Sequence, residues 1–157
     1  MTVDFKTYQL SDDLQRIDFP AVTEWLSGTY WSPGIGQAEV ERAARHSSLV
    51  VSAWTSGGEQ VGYARVASDK TRFGYVMDVF VVPGHRGHGL GQAMVRFAMD
   101  HPEHRLVYQW LLATQDAHGV YEKVGFSALP HPERLMGFRK PWPRPLSAES
   151  AAPPAAG

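Results

Sequence analysis

Three closely spaced apolar-rich stretches, separated by turn residues, lie near the middle of the chain. Leu49–Trp54 reads as a strand, Thr55-Ser56-Gly57-Gly58-Glu59 as a hairpin turn, and Gln60–Ala67 as the returning strand. After the polar turn Ser68–Gly74 a third strand runs from Phe73 or Gly74 to Val82, antiparallel to the second because the connection is too short for a crossover. Its apolar run is broken by one carboxylate, Asp78. The period then changes. Leu90, Met94 and Phe97 recur at helical spacing, so Gly89–Asp100 is predicted as a helix. The mostly apolar Leu106–Ala113 then reads as a buried strand. Strand, helix and strand make a βαβ unit whose two strands should run parallel.

The flanks are weaker. Asp4–Leu10 alternates as one first strand, and Ser11-Asp12-Asp13 reads as a cap before a helical segment. Pro20 suits a helix start, with Val22, Trp25 and Leu26 at helical spacing through Ser27. Gln37–Arg45 is a second helix with a narrow stripe of Val40 and Ala44. Between them lies Gly28–Gly36, a turn-rich loop with adjacent aromatics, Tyr30 and Trp31. These either pin the loop to the core or line a substrate pocket. Downstream, Asp116–Lys123 reads as a short helix capped by Asp116 and ended by Gly125. Phe126–Leu129 and Leu135–Lys140 are predicted strands around Pro130-His131-Pro132. Residues 141–157 are rich in proline, alanine and serine and read as a tail outside a domain spanning 1–140.

Composition narrows the function classes. With 15 basic and 16 acidic residues, no broad basic surface for nucleic acid is indicated. There is no cysteine, which excludes disulfides, thiolate metal sites and cysteine nucleophiles. Of the seven histidines, His101 and His104 are close together, but no third ligand follows at a recognisable spacing, so no metal is expected. No apolar run approaches the ~20 residues of a membrane helix, and no signal peptide is evident, so the expected location is cytoplasmic.

The candidate chemistry sits where the third strand meets the helix. Val79-Phe80-Val81-Val82-Pro83-Gly84-His85-Arg86-Gly87-His88-Gly89-Leu90-Gly91 passes from an apolar run through three alternate glycines into a helix start. Glycines let backbone approach a ligand, and the first N–H groups of a helix lack internal partners, so the arrangement suits phosphate. A Walker loop needs lysine and Ser/Thr after its last glycine, whereas Gly91 is followed by Gln92-Ala93. A dinucleotide loop needs Gly-x-Gly-x-x-Gly in the first βα unit and an acidic residue ~20 positions on, but the spacing here differs and residue 111 is leucine. Arg86-Gly87-His88-Gly89-Leu90-Gly91 instead fits Arg/Gln-x-x-Gly-x-Gly/Ala at every fixed position.

That pattern resembles the acetyl-CoA signature of the GNAT (Gcn5-related) N-acetyltransferases, and the chain is similar to a small bacterial type within that family. Ala117-His118-Gly119-Val120-Tyr121-Glu122-Lys123-Val124-Gly125-Phe126 resembles the family's second hallmark, and the resemblance covers roughly residues 4–140. It implies an α/β fold, a central mixed but mostly antiparallel twisted sheet with flanking helices. It also implies acetyl transfer from acetyl-CoA to an amine by direct attack. Backbone N–H groups of Arg86, Gly87, His88, Gly89, Leu90 and Gly91 would cradle the pyrophosphate, and the backbone of Phe80 and Val81 would pair with the pantetheine arm. Tyr121 would protonate the leaving thiolate. Asp78 either takes the amine proton through a water or bonds Arg65 and shapes the cleft. Tyr30 and Trp31 would face a small-molecule or peptide amine. An apolar sheet edge or helix could support a homodimer. The rival reading is a catalytically silent CoA-binding sensor or interaction module.

Overall fold

The computed structural model describes residues 1–141; the tail expected at 141–157 therefore lies almost wholly outside the described residues. Six strands form one sheet in sequence order: β1 (Thr2–Phe5), β2 (Tyr8–Ser11), β3 (Leu49–Thr55), β4 (Gln60–Ser68), β5 (Phe73–Val81) and β6 (Gln109–Leu111). The first five pair antiparallel, and β6 joins β5 in parallel, as the βαβ reading requires. The helices are α1 (Phe19–Ser27), α2 (Gln37–Arg45), α3 (Leu90–Met99) and α4 (His118–Glu122).

Strand alternation sorts side chains onto two faces. Val51, Ala64 and Val76 meet Met94 and Val95 of α3 on one face. Val50 and Tyr63 meet Val22 and Leu26 of α1 and Val40 and Ala44 of α2 on the other. Helix caps account for several boundaries. The Asp18 carboxylate accepts from Ala21 N at 3.1 Å at the start of α1, with Pro20 in the first turn, and Glu39 reaches back to Gly36 N at 2.9 Å at the start of α2.

Four expectations change. The single strand Asp4–Leu10 is a hairpin that reverses at Lys6-Thr7, with Lys6 at φ 54°. The segment after Asp13 is only a 3-10 turn, Leu14–Arg16. The buried strand Leu106–Ala113 shrinks to Gln109–Leu111, because a 3-10 turn at Pro102–His104 leads into it and Leu106 and Tyr108 face solvent. The segments Phe126–Leu129 and Leu135–Lys140 form no strands. Pro130 and Pro132 lack ladder donors, Pro132–Arg134 is a 3-10 turn, and Met136 and Phe138 are almost fully exposed.

Candidate functional site

β5 keeps one long edge free. Its pairing with β6 covers only Phe73–Tyr75, so on that side Val76–Val81 meets no strand among the described residues. On the other side the β4 ladder is interrupted. Arg65 faces Met77 and Tyr63 faces Phe80, so Ala64 alone opposes Asp78 and Val79. This is a bulge, and Asp78 takes φ 54° within it. The Asp78 carboxylate accepts from Nε of Arg65, and both side chains are largely buried. Tyr63, fully buried beside this pair, has a hydroxyl with no partner among the described residues, and burial pushes its phenol well above the ordinary value. The Phe80 ring stacks on Trp25 of α1 with centroids 5.4 Å apart, and the Arg86 guanidinium lies 5.5 Å from its centre.

The glycine loop follows directly. Gly87 and Gly89 have φ of 80° and 81°, a region that disfavours side chains, so their glycines are required by backbone geometry. Gly89 caps α3 with no side-chain acceptor. Of the N–H groups expected to be free at 86–91, that of Arg86 bonds Pro83 O at 3.2 Å and closes a 3-10 turn; those of residues 87–92 find no protein acceptor among the described residues, and Ala93 N returns to Gly89 O at 3.0 Å. The loop is held from below by the β1–β2 hairpin. Lys6 Nζ donates to His88 O at 2.9 Å, and the Tyr8 hydroxyl lies 3.0 Å from His85 Nδ1. Arg86 folds back, donating from Nε to Val81 O at 2.9 Å.

Tyr121 stands on α4 and packs against the core cluster that α3 forms with the sheet. A left-handed Gly125, φ 107°, ends this helix, and Phe126 N bonds back to Tyr121 O at 3.1 Å. The ring is half-buried, edge-on to Phe126 at 6.1 Å. Burial, then the neighbouring Tyr30 and Asp116, push its phenol up to about 12. Tyr30 reaches over from the α1–α2 loop, and its hydroxyl accepts from Gln115 N at 2.9 Å. Trp31 packs edge-on against Tyr30 at 4.9 Å, and both are exposed. Asp116 does not cap α4; Ala117 occupies that position, its N–H bonded to Thr114 Oγ1 at 3.0 Å.

The arrangement is a free strand edge that leads into a run of unpartnered backbone N–H groups. The model of the Acetyltransferase (GNAT) family matches residues 9–126. The chain belongs to the GNAT acetyltransferase family. A GNAT-family protein from Xanthomonas campestris pv. campestris is 37% identical and superposes with a TM-score of 0.80 over 88% of this chain and 96% of that one. Serotonin N-acetyltransferase 2, chloroplastic, from Oryza sativa subsp. japonica is 35% identical over 106 residues, 65% of this chain and 53% of that protein. The chain thus spans about half the length of this curated relative. Glucosamine-6-phosphate N-acetyltransferase from Arabidopsis thaliana, at 19% identity, shares the fold, with a TM-score of 0.65 over 88% of this chain and 100% of that one.

In this GNAT chain, the sequence-named residues gather in two groups. Phe80, Val81 and the loop from Arg86 to Gly91 are contiguous, and Tyr30, Trp31 and Tyr121 form a second group around Gln115. Asp78 lies on the β5 bulge, held by Arg65. Sequence reasoning missed Lys6, Tyr8 and Trp25, which support the loop and the Phe80 ring from elements far away in the chain. Among the described residues no group of three or more His, Cys, Asp or Glu could hold a metal ion, and no helix is long and apolar enough to cross a membrane.

Proposed function

We propose that this protein transfers the acetyl group of acetyl-CoA to a primary amine of a small molecule or peptide. The observation that carries this reading is the run of unpartnered N–H groups at residues 87–92, opening directly off the free edge of β5. Each helix-end interaction with an anion is worth ~0.3–1 kcal/mol, so several converging donors are needed to hold a pyrophosphate. Free N–H and C=O groups at Val76–Val81 suit an extended amide-bearing arm added as a further strand. That arm would compete with Arg86 for Val81 O, so Arg86 must move aside for full pairing.

Acetyl-CoA supplies an activated thioester carbonyl; the amine nitrogen bonds to that carbon while the carbon–sulfur bond breaks. Tyr121 is assigned as the acid that protonates the sulfur. The phenol is protonated throughout the neutral range, and because burial raises its pKa the transfer must coincide with charge building on the sulfur. Asp78 is assigned as the acceptor of the amine proton through a water. One carboxylate oxygen holds Arg65 and the other makes no protein hydrogen bond among the described residues. Tyr30 and Trp31 offer the amine an exposed aromatic rim. The rice relative is named for serotonin, which makes arylalkylamines a sensible first group to test.

The test is CoA release from acetyl-CoA over a panel of arylalkylamines, polyamines, amino sugars and peptide amines. Turnover on one class, with Tyr121→Phe lowering kcat by ~10²–10⁴ at little cost in CoA affinity, is the expected result. CoA binding without turnover on any amine would favour the silent sensor. Unchanged kcat in Tyr121→Phe would remove its role as the acid.

A further inference from the structure

We propose that Arg65 is a positioning residue that acts through Asp78 to hold the β5 bulge, and so sets the line of the strand edge that receives CoA; this rests on the acetyl-CoA reading above. Among the described residues three other than glycine have positive φ, namely Lys6, Lys70 and Asp78. The first two lie between elements, whereas Asp78 is inside a strand. A side chain with a Cβ resists this conformation, so something must hold it there.

The holding group is Arg65. Its Nε donates to the Asp78 carboxylate, in a setting where the two side chains are 19% and 10% exposed. Bonds between ionised partners are roughly twice as strong as neutral ones, and low exposure protects this one from screening by water. The guanidinium is braced in turn. Arg65 Nη1 lies 3.5 Å from Ser47 Oγ, and the Ser47 hydroxyl donates to Ala43 O at 2.8 Å, so its lone pairs are left for Arg65. The end of α2 is thereby linked through Ser47 and Arg65 to the bulge.

The other end of the same edge is fixed separately, by Val82 N on Val61 O at 2.9 Å and by Arg86 on Val81 O. Between these fixed points lie Val79, Phe80 and Val81. A bulge bends its strand and increases the local twist, so its geometry decides where their N–H and C=O groups point.

The experiment pairs a loss with a rescue. Arg65→Met removes the ion pair and leaves Asp78 both unpaired and in a disfavoured conformation. Changing Asp78 to glycine in that background lets the backbone keep positive φ with no clamp. Calorimetric CoA affinity should fall about ten-fold in Arg65→Met and return to within about three-fold of wild type in Arg65→Met/Asp78→Gly. Hydrogen exchange of the Met77–Phe80 amides should quicken and recover in the same order. A merely structural arginine would not be rescued by glycine at another position. Should Arg65→Met not fold, Arg65→Lys carries the test, with the same pattern at smaller size. Wild-type affinity in the arginine variant, or a loss that glycine fails to recover, overturns the proposal. Wild-type protein that binds no CoA overturns the acetyl-CoA reading on which the positioning role rests. A CoA-binding wild type with an indifferent Arg65→Met overturns the clamp alone.

Discussion

His104 shows how one buried side chain ties distant segments together. Its Nδ1–H donates to Ala98 O at 2.7 Å at the end of α3, and its Nε2 meets Ser48 Oγ at 3.1 Å ahead of β3. The ring also packs edge-on against Trp110 of β6 at 5.3 Å. Burial pushes the imidazole below its ordinary value, with nearby His101 and Lys70 acting in the same direction, and the Ala98 carbonyl and Glu103 opposing. Burial therefore favours the neutral ring, with Nδ1 protonated toward Ala98 O, while the single Ser48 proton is shared between Val66 O, 2.9 Å from the same Oγ, and His104 Nε2. Since the unfolded chain takes up a proton near pH ~6.5 and the folded ring resists it, this contribution is complete above that value and lost as pH falls through the lower folded value. His104→Gln should cost roughly 2–4 kcal/mol at pH 7 through lost packing and hydrogen bonding. Its melting temperature should nevertheless fall less than the wild type's between pH 7 and pH 5. Equal losses over that interval would show that other groups govern the acid limb.

Among the elements, the parallel junction of β5 and β6 is the most constrained. Gly74 pairs with Trp110, and a Cβ built at Gly74 would stand 2.6 Å from ring atoms of that tryptophan. The indole is flanked by His104 and has no flexible end that could yield. Gly74→Ala should therefore destabilise the protein by ~1–3 kcal/mol, as overpacked sites do, measured by urea unfolding. A variant as stable as wild type would mean that β6 shifts without penalty. Such constraints explain which parts of the fold were legible in the sequence. β3, β4 and β5 declared themselves as apolar-rich runs bounded by turn residues, and α3 because its buried residues recur at helical spacing. The β1–β2 turn did not, since Lys6 adopts positive φ where glycine or asparagine would have signalled it. The segments 126–129 and 135–140 carry a strand-like pattern, but a strand requires a partner edge, which pattern alone does not reveal. In the candidate site, the glycine loop was legible from its three alternate glycines, two of which, Gly87 and Gly89, satisfy a backbone demand. Asp78 stood out as a carboxylate in an apolar run, yet the bulge beneath it is a property of two strands. Lys6 and Tyr8 reach the loop across separations of 82 and 77 residues, which no local spacing could disclose.

At the scale of the molecule, α3 covers one face of a single sheet, α1 and α2 cover the other, and the ladder opens between β5 and β6. The parallel pair is held only at Phe73–Tyr75 against Gln109–Leu111, so this seam has less hydrogen bonding than the β3–β4–β5 centre. A ligand lying along Val76–Val81 with its phosphates at residues 87–92 would bridge the seam's open end to the start of α3. Such a ligand binds the folded state and not the unfolded one, so it stabilises by RT ln(1 + [L]/Kd), about 2.7 kcal/mol at a hundred-fold excess over Kd. For a chain of this size each kcal/mol raises the melting temperature by ~2–4 °C, giving an expected shift of about 5–11 °C with saturating CoA. The location of the effect distinguishes this site from any other. Exchange protection on adding CoA should concentrate at the β5 edge, at residues 87–92 and at the Lys6–Tyr8 turn that holds them, beyond the share that every element gains from global stabilisation. A comparable shift with ADP alone would assign most of the binding to the phosphate cradle. A shift requiring the pantetheine arm would assign it to the strand edge, and protection confined to any other face of the sheet would place the CoA site elsewhere.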